Sequence, residues 1–345
     1  MTLSVDPQSR SRLWHVFTAL LPYAALIVIF AGMGLRDALR ANQYHLPVIF
    51  WTMSNLGPMA IDCALTIVAA AGMTLVILTG GIDLSVGSII GVASAVACLA
   101  TNYFQNCALG MMLGVLVGML CGLLNGALVI GLRVQPFIVT LGALMSLRGV
   151  CRLLNNNSYI SIGDGLKDPK AALALMARFK WLSGKIPGID LPWFLVVAIA
   201  VVALLWVVLN STRLGRRLYA VGSNEEAARL SGVRVQRTKI LAYTIAGTTA
   251  GLAGVMNATR LGGSSAQTGE TTELTIIAAV VIGGTSLSGG QGTVMGCVIG
   301  AILMVALSGS CTSLRIDDAW QKVIIGMFLI GAAAVDRLRR GKSNG

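Results

Sequence analysis

Long runs of apolar residues alternate with short polar segments along most of the chain. A membrane-crossing α-helix needs about 20 mainly apolar residues, so these runs predict membrane helices. They lie near residues 16–35, 58–80, 85–104, 107–132, 136–154, 191–209, 239–259, 273–287, 292–310 and 320–335. The pattern predicts an all-α polytopic membrane protein with about ten transmembrane helices.

Some of these runs do not read as simple crossing helices. The runs 85–104 and 107–132 almost join, and the run 273–287 is short for a full crossing. Short or glycine-interrupted segments in transporters are often broken or re-entrant helices. We therefore expect some broken or re-entrant segments, and the number of spans depends on how they are placed.

The composition supports this assignment to the bilayer. Only 12% of the 345 residues are charged and the mean hydropathy is +0.79, whereas soluble domains carry about 25% charged residues. Residues 84–132 and 274–314 contain no Asp, Glu, Lys or Arg. Such stretches cannot form a water-compatible surface, which excludes an ordinary soluble protein.

The net charge of +12 is carried by basic residues between the apolar runs and at both ends. Residues 210–239 hold seven basic and two acidic residues, which favours the cytoplasm. With ten spans, a segment 1–15, this loop and a basic tail 336–345 are all cytoplasmic, and residues 16–335 form the membrane domain. Residues 155–190 then lie outside, although their five basic residues weaken that placement. No nucleic-acid-binding motif is present, so nucleic acid is not an expected partner.

Residues 287–291 read LSGGQ, the signature with which ATP-binding-cassette ATPases contact nucleotide. The signature needs a phosphate-binding loop of the form G-x-x-x-x-G-K-[ST], which this sequence lacks. No Ser/His, paired-Asp or H-E-x-x-H arrangement indicates an intramembrane enzyme. The seven cysteines and two histidines show no metal-ligand spacing. We expect a chain that is not an enzyme and binds no nucleotide, metal or cofactor itself.

The LSGGQ letters belong to a different pattern. Residues 80–85 read GGIDLS and residues 283–288 read GGTSLS, each between two apolar runs. Paired glycine-interrupted segments indicate an internal repeat and a translocation site built from broken helices, although close helix packing would also use these glycines. The candidate pathway residues are Asp83, Ser85, Asn125, Ser286 and Ser288.

Two of these candidates have a structural alternative. Asp83 lies between long apolar spans, where an ionised group is costly unless paired or hydrated. It could line the pathway, or it could cap a helix by accepting backbone hydrogen bonds. Asn125 is better explained as a hydrogen-bonding link between helices than as a ligand contact.

The basic loop contains a predicted short helix. Ser223 and Asn224 are typical of a helix start, acids follow at Glu225 and Glu226, and Gly232 suits the end. It could be an ordinary solvated helix, or Ala227, Ala228 and Leu230 could form a small apolar surface for a groove in another protein. The candidate contact residues are Asn224, Glu225, Glu226, Ala227, Ala228, Arg229 and Gly232.

This helix resembles the E-A-A-x-x-x-G motif of ATP-binding-cassette import permeases, with Glu226, Ala227, Ala228 and Gly232 at the motif positions. The I-x-L-P that follows in maltose-type permeases is missing. The chain is instead similar to the ribose-type branch over roughly residues 58–335. Four blocks carry the resemblance: GMTLVILTGGIDLSVGS (72–88), VQPFIVTLGALMSLRGV (134–150), TRLGRRLYAVGSNEEAARLSGV (212–233) and ELTIIAAVVIGGTSLSGG (273–290).

The resemblance implies a permease subunit of a bacterial inner-membrane importer, with both termini in the cytoplasm. Residues 225–232 would be the coupling helix that docks on a separate cytoplasmic ATPase, which binds the ATP and Mg. A second permease subunit, identical or different, and a periplasmic sugar-binding protein would complete the importer in the lipid bilayer. The implied substrate is a pentose or hexose, with autoinducer-2 or a polyol as the alternative.

A proton- or sodium-coupled secondary transporter is a further alternative. It would need ionisable groups inside the spans. Only Asp62, Asp83 and Glu273 are available, which makes this interpretation the weaker one.

Overall fold

The computed structural model describes residues 52–188 and 191–313, together with short helical pieces between residues 27 and 43 and between residues 317 and 331. Within the two long ranges the chain forms eleven α-helices, one short 3₁₀ helix and two three-residue strands. The helices are α1 (Met53–Leu78), α2 (Val86–Phe104), α3 (Cys107–Leu132), α4 (Pro136–Leu154), α5 (Pro169–Phe179), α6 (Trp193–Ser211), α7 (Arg213–Ser223), α8 (Glu225–Leu230), α9 (Val235–Leu261), α10 (Thr272–Ile282) and α11 (Val294–Ser313); the 3₁₀ helix is Lys180–Ser183 and the strands are β1 (Tyr159–Ser161) and β2 (Gly263–Ser265).

Seven helices of this described part are long and apolar enough to cross a membrane: α1, α2, α3, α4, α6, α9 and α11. The all-α polytopic prediction is confirmed, and the count of about ten is not. The predicted span 273–287 is a helix of only 11 residues, α10. The predicted spans 16–35 and 320–335 lie largely outside the described residues, as do the predicted cytoplasmic segments 1–15 and 336–345.

The helices run between two ends of a bundle. We call the end that carries residues 212–234 the α8 end, and the end that carries β1 and β2 the sheet end. Helices α1, α3, α6 and α10 run toward the α8 end, and α2, α4, α9 and α11 run back toward the sheet end. The sequence predictions for α3 and α4 match the observed bounds.

Helix α9 packs against α1, α2 and α3 and forms the centre of the bundle. Its contact with α3 depends on a row of buried glycines in α3, which recur every fourth residue. A Cβ atom at Gly118 would lie 2.5 Å from the Cα of Gly251, and one at Gly122 would lie 2.2 Å from the carbonyl oxygen of Tyr243. Small residues thus bring the two backbones together, as expected for helices packed in lipid.

The outer helices are much more exposed than the central ones. Only 17% of the apolar stretch of α4 is buried, against 78% in α1 and α2. Large apolar side chains such as Phe137, Leu141 and Met145 cover the outside of α4. Such a surface requires lipid or another protein chain to cover it.

At the sheet end, β1 and β2 pair antiparallel, with Tyr159 opposite Ser265 and Ser161 opposite Gly263. The segment that follows β2 then turns back into the bundle before α10 begins. A Cβ atom at Gly91, in α2, would lie 2.6 Å from the carbonyl oxygen of Thr268, so this segment runs alongside α2. The predicted re-entrant character of this region therefore lies in residues 266–272 and in the short helix α10.

Candidate functional site

The first glycine turn, Gly80–Ser85, is held together by its own carboxylate. Asp83 Oδ1 accepts hydrogen bonds from the Ser85 backbone N–H at 2.8 Å and from the Ser85 hydroxyl at 2.6 Å. The Asn125 side chain donates to Ser85 Oγ at 2.7 Å. The structure thus brings together three predicted pathway residues from two elements.

This turn lies inside the bundle. Asp83 is 1% exposed and Ser85 is fully buried. Their partner Asn125 lies about two turns, or about 10 Å, before the end of α3. The carboxylate therefore closes the turn that precedes α2 but accepts no hydrogen bond from the first turn of that helix, and Asn125 links α3 to the turn. A direct pathway role for these residues stays a prediction.

The second glycine turn, Gly283–Ser288, lies at the α8 end and continues to Gly292. The Gly290 N–H donates to the carbonyl oxygen of Leu78, the last residue of α1, at 2.9 Å. Ser286 is 1% exposed, whereas Ser288 is exposed. The two predicted pathway serines of this turn therefore differ in their exposure.

The two turns nevertheless touch each other. A Cβ atom at Gly289 would lie 2.7 Å from the Gly80 nitrogen, and one at Gly80 would lie 3.5 Å from the Ser288 carbonyl oxygen. Both turns accordingly lie at the same end. An inverted repeat would place the two elements at opposite faces of the membrane. Their contact excludes that relation.

Helix α7, which sequence reasoning treated as loop, joins the turns to the basic loop. Its buried face carries Leu218 and Val221 and its exposed face carries three arginines, the separation typical of a helix lying at a surface. Gly222 approaches the end of α1 and the second turn, because a Cβ atom there would lie 1.8 Å from the Leu78 carbonyl oxygen and 2.4 Å from the Gly290 nitrogen. The spacing of Arg213, Arg216 and Arg217 could have revealed this helix.

Tyr219 adds a second link between α7 and the second turn. Its hydroxyl donates to the carbonyl oxygen of Gly292 at 2.8 Å. Burial raises the pKa of this phenol above its usual value, so the hydroxyl keeps the proton that it donates.

The predicted short helix of the basic loop is confirmed as α8, and each end is formed by a predicted residue. The Asn224 side chain accepts from the Ala227 N–H at 2.9 Å. Gly232 ends the helix with φ of 80°, the left-handed conformation that glycine adopts most easily. Lys239 of α9 donates to Glu225 at 2.6 Å, so an ion pair ties α8 to the next membrane helix.

The interpretation of Ala227, Ala228 and Leu230 as a small outward apolar surface is wrong for Ala228. Ala228 is 5% exposed and packs against Val221 and Val235, because it anchors the helix to the bundle. Ala227 is exposed and Leu230 is 83% exposed. The outward surface also carries Glu226 and Arg229, whose side chains pair at 3.8 Å and are 77% and 71% exposed.

Sequence reasoning missed a second buried polar group, centred on Arg148 of α4. Its guanidinium donates to the carbonyl oxygens of Thr268 and Gly269, at 3.0 Å each, and lies 3.8 Å from a carboxylate oxygen of Glu273. Arg148 and Glu273 are each 9% exposed. The cation thus fixes the re-entrant segment before α10. Arginine inside an apolar run was the available signal.

Comparison with known proteins decides among the membrane-protein classes that this architecture permits. Residues 55–333 match the family described as "Branched-chain amino acid transport system / permease component". The chain belongs to this permease family. No solved structure is significantly similar to it.

Individual relatives are transport permeases as well. The ribose import permease protein RbsC of Escherichia coli K12 is 36% identical over 93% of this chain and 95% of its own length. RbsC of Bacillus subtilis 168 is 38% identical over 78% of this chain and 80% of its own length. The autoinducer 2 import system permease protein LsrC of Photorhabdus luminescens is 34% identical over 91% and 89%. The chain is therefore a multi-pass membrane permease.

Proposed function

We propose that this chain is the membrane permease of an ATP-driven importer for a monosaccharide, a ribose-like pentose or a hexose. The observation that carries the proposal is the exposed helix α8, fixed to the bundle at the end where the two glycine turns meet. A helix that must transmit force between two proteins needs an outward surface for the partner and a rigid base on its own side. α8 has both features.

The base of α8 connects directly to the membrane helices. Ala228 packs on α7 and α9, and Glu225 pairs with Lys239 of α9. α7 then reaches the end of α1 and the second glycine turn through Gly222. A contiguous set of packed contacts of this kind can carry a movement of α8 to the ends of α1, α10 and α11.

The proposed assembly places the remaining partners at the two ends. A cytoplasmic ATPase with ATP and Mg docks on α8, and a periplasmic sugar-binding protein delivers substrate at the sheet end. A second permease subunit, identical or different, completes the pathway. The chain accordingly lies in the bacterial inner membrane with its α8 end and both termini in the cytoplasm, which agrees with the basic residues of the loop.

The relatives favour a sugar as the substrate. RbsC proteins at 36% and 38% identity are ribose importers by name, although the family description refers to branched-chain amino acids. The LsrC relative at 34% identity makes autoinducer-2 the second candidate. A polyol stays an alternative without a specific observation in its favour.

The acids within the described spans and re-entrant segment argue against an ion-coupled carrier. Asp62 pairs with Arg260, Asp83 accepts two hydrogen bonds from Ser85, and Glu273 lies beside Arg148. Each acid within or next to a described span thus has a cationic or hydrogen-bonding neighbour. A site that binds and releases protons or sodium would need a group not committed in this way.

Co-purification from native membranes tests the proposal. We expect the tagged wild-type chain to bring down an ATPase subunit, and Glu226→Arg or Gly232→Arg to lose both this subunit and uptake while inserting normally. Lys170→Glu, a charge change at the exposed start of α5, is the matched control at the other end and should retain the subunit. Retention of the ATPase and of coupled uptake in the α8 variants would contradict the docking assignment.

A further inference from the structure

Helix α7 carries three exposed arginines, Arg213, Arg216 and Arg217, while Leu218 on its other side is buried. Residues three and four positions apart are neighbours on a helix surface, so the three side chains share one side of α7. None of them forms an ion pair with an acid in the described part of the chain. They form a cationic surface, which we call the α7 arginine face.

The acids that are closest to this face in sequence already have cationic partners. Glu225 of α8 pairs with Lys239, and Glu226 pairs with Arg229. No described carboxylate therefore neutralises the α7 arginine face. Exposed guanidinium groups in this situation are available to an anion from outside the chain.

The α7 arginine face lies where the bundle leaves the bilayer. α6 is long and apolar enough to cross a membrane and ends at Ser211, and α7 begins two residues later. Trp206 of α6 is 45% exposed and lies about 8 Å before that end, and exposed tryptophan is typical of the membrane–water interface. At its other end, α7 reaches the segment before α11 through the bond from Tyr219 to Gly292. The arginines therefore lie at the depth of the lipid headgroups.

An apolar groove of about 310 Å³ lies between α6 and α11, the two helices that α7 connects. Its lining includes Ile199 and Ala203 of α6, Met295 of α11 and Ile67 of α1. Ile199 is 67% exposed and Met295 is 49% exposed, so the groove opens to the outside of the bundle. Ala203 lies about 12 Å from the end of α6, within the roughly 15 Å of hydrocarbon that one leaflet contributes. An acyl chain whose headgroup lies at α7 therefore reaches the groove.

We propose that the α7 arginine face and this groove together bind one anionic phospholipid, with its phosphate on the arginines and an acyl chain between α6 and α11. Arginine binds phosphate oxygens through paired N–H donors. A lipid with a net negative charge fits three unpaired cations better than a zwitterionic lipid, because the ammonium group of the zwitterion is repelled by them. The site is distinct from the docking surface on α8 and does not depend on which substrate the permease carries.

Lipid binding to the purified full-length permease tests the headgroup contact. In native mass spectrometry at low salt, phosphatidylglycerol should bind at least about ten times more tightly than phosphatidylcholine, since each arginine near an anionic headgroup adds to the attraction. The triple variant Arg213→Gln, Arg216→Gln, Arg217→Gln should lose most of this preference and bind phosphatidylcholine as the wild type does. An unchanged preference for phosphatidylglycerol would overturn the proposal.

The matched control removes the same charge at the sheet end. Lys167→Gln, Lys170→Gln, Arg178→Gln replaces three exposed cations there and should keep the preference for phosphatidylglycerol. An equal loss in both triple variants would show that net charge alone sets the preference, and the assigned site would be wrong. The site would also be wrong if the α7 variant kept its lipid preference but lost the co-purifying ATPase, because the arginines would then belong to a protein contact.

Filling the groove tests the acyl-chain contact. Ala203→Trp should weaken binding of both lipids about fivefold, because the indole displaces methylene groups of the chain from the apolar volume. Leu204→Trp is the control, since Leu204 is the next residue, is 63% exposed and lies outside the groove lining. Unchanged lipid binding in Ala203→Trp would overturn the acyl-chain contact. If that variant then also lost more thermal stability than Leu204→Trp, another segment of this chain would be the occupant of the groove.

Discussion

The two glycine turns share the pattern G-G-x-x-L-S but occupy different environments. In the first, Asp83 is buried and helix α2 resumes directly after Ser85. In the second, Ser286 stands at the position of Asp83, Ser288 is exposed, and α11 resumes only at Val294. Both turns lie at the α8 end, but only the first is closed by a carboxylate and followed directly by a helix.

The contact of Gly222 with the end of α1 and with the second turn is the feature most sensitive to substitution. Gly222→Ala would place a methyl group 1.8 Å from the Leu78 carbonyl oxygen and 2.4 Å from the Gly290 nitrogen, and neither backbone can move without opening the junction. We expect a cost of about 3 kcal/mol or more and loss of uptake. Thermal unfolding in detergent and uptake in cells measure the two effects.

Gly131→Ala is the control for this substitution, because a Cβ atom at Gly131 of α3 meets nothing within 4 Å. Alanine there should leave stability unchanged or raise it by up to about 1 kcal/mol through helix propensity. Equal losses at the two glycines would show that the junction has no special role.

Substitutions in the first turn should have the second-largest effect on stability. Asp83→Ala leaves the Ser85 N–H buried without its acceptor, for which we expect about 3 kcal/mol of destabilisation. Asp83→Asn keeps an acceptor oxygen and should cost about 1 kcal/mol, with uptake near that of the wild type. Loss of uptake by a stable Asp83→Asn protein would restore the pathway role of the charge.

The second turn should tolerate loss of its exposed hydroxyl. Ser288 is exposed and stands where the first turn has the buried Ser85, so Ser288→Ala should change stability by less than about 0.5 kcal/mol. Ser85→Ala should cost clearly more, since that hydroxyl bonds to Asp83 and accepts from Asn125. Comparing the loss of unfolding free energy in Ser85→Ala with that in Ser288→Ala measures how much each turn depends on its serine hydroxyl.

Most of the helices could be predicted from the sequence because apolar runs in a membrane chain are bounded by polar or glycine-rich segments. α3 and α4 match their predicted bounds, and the break between α2 and α3 falls at Gln105, in a left-handed conformation. The start of α8 at Asn224 and its end at Gly232 could be predicted as well, because helix capping depends on residues that are close in sequence.

Tertiary placement could not be predicted in this way. Hydropathy does not show that Gly222 meets the end of α1 and the second turn, that Ala228 faces inward, or that Arg148 reaches the carbonyl of Gly269. These contacts join residues distant in sequence, and each depends on how helices pack.

ATP-dependent uptake in proteoliposomes tests the central claim most directly. The permease, an ATPase that co-purifies with it and its binding protein would be reconstituted, and entry of radiolabelled ribose measured with ATP supplied on the ATPase side. We predict uptake that requires all three proteins and ATP and that is lost in Glu226→Arg. Uptake by this chain alone, driven by a proton or sodium gradient without ATP, would contradict the account.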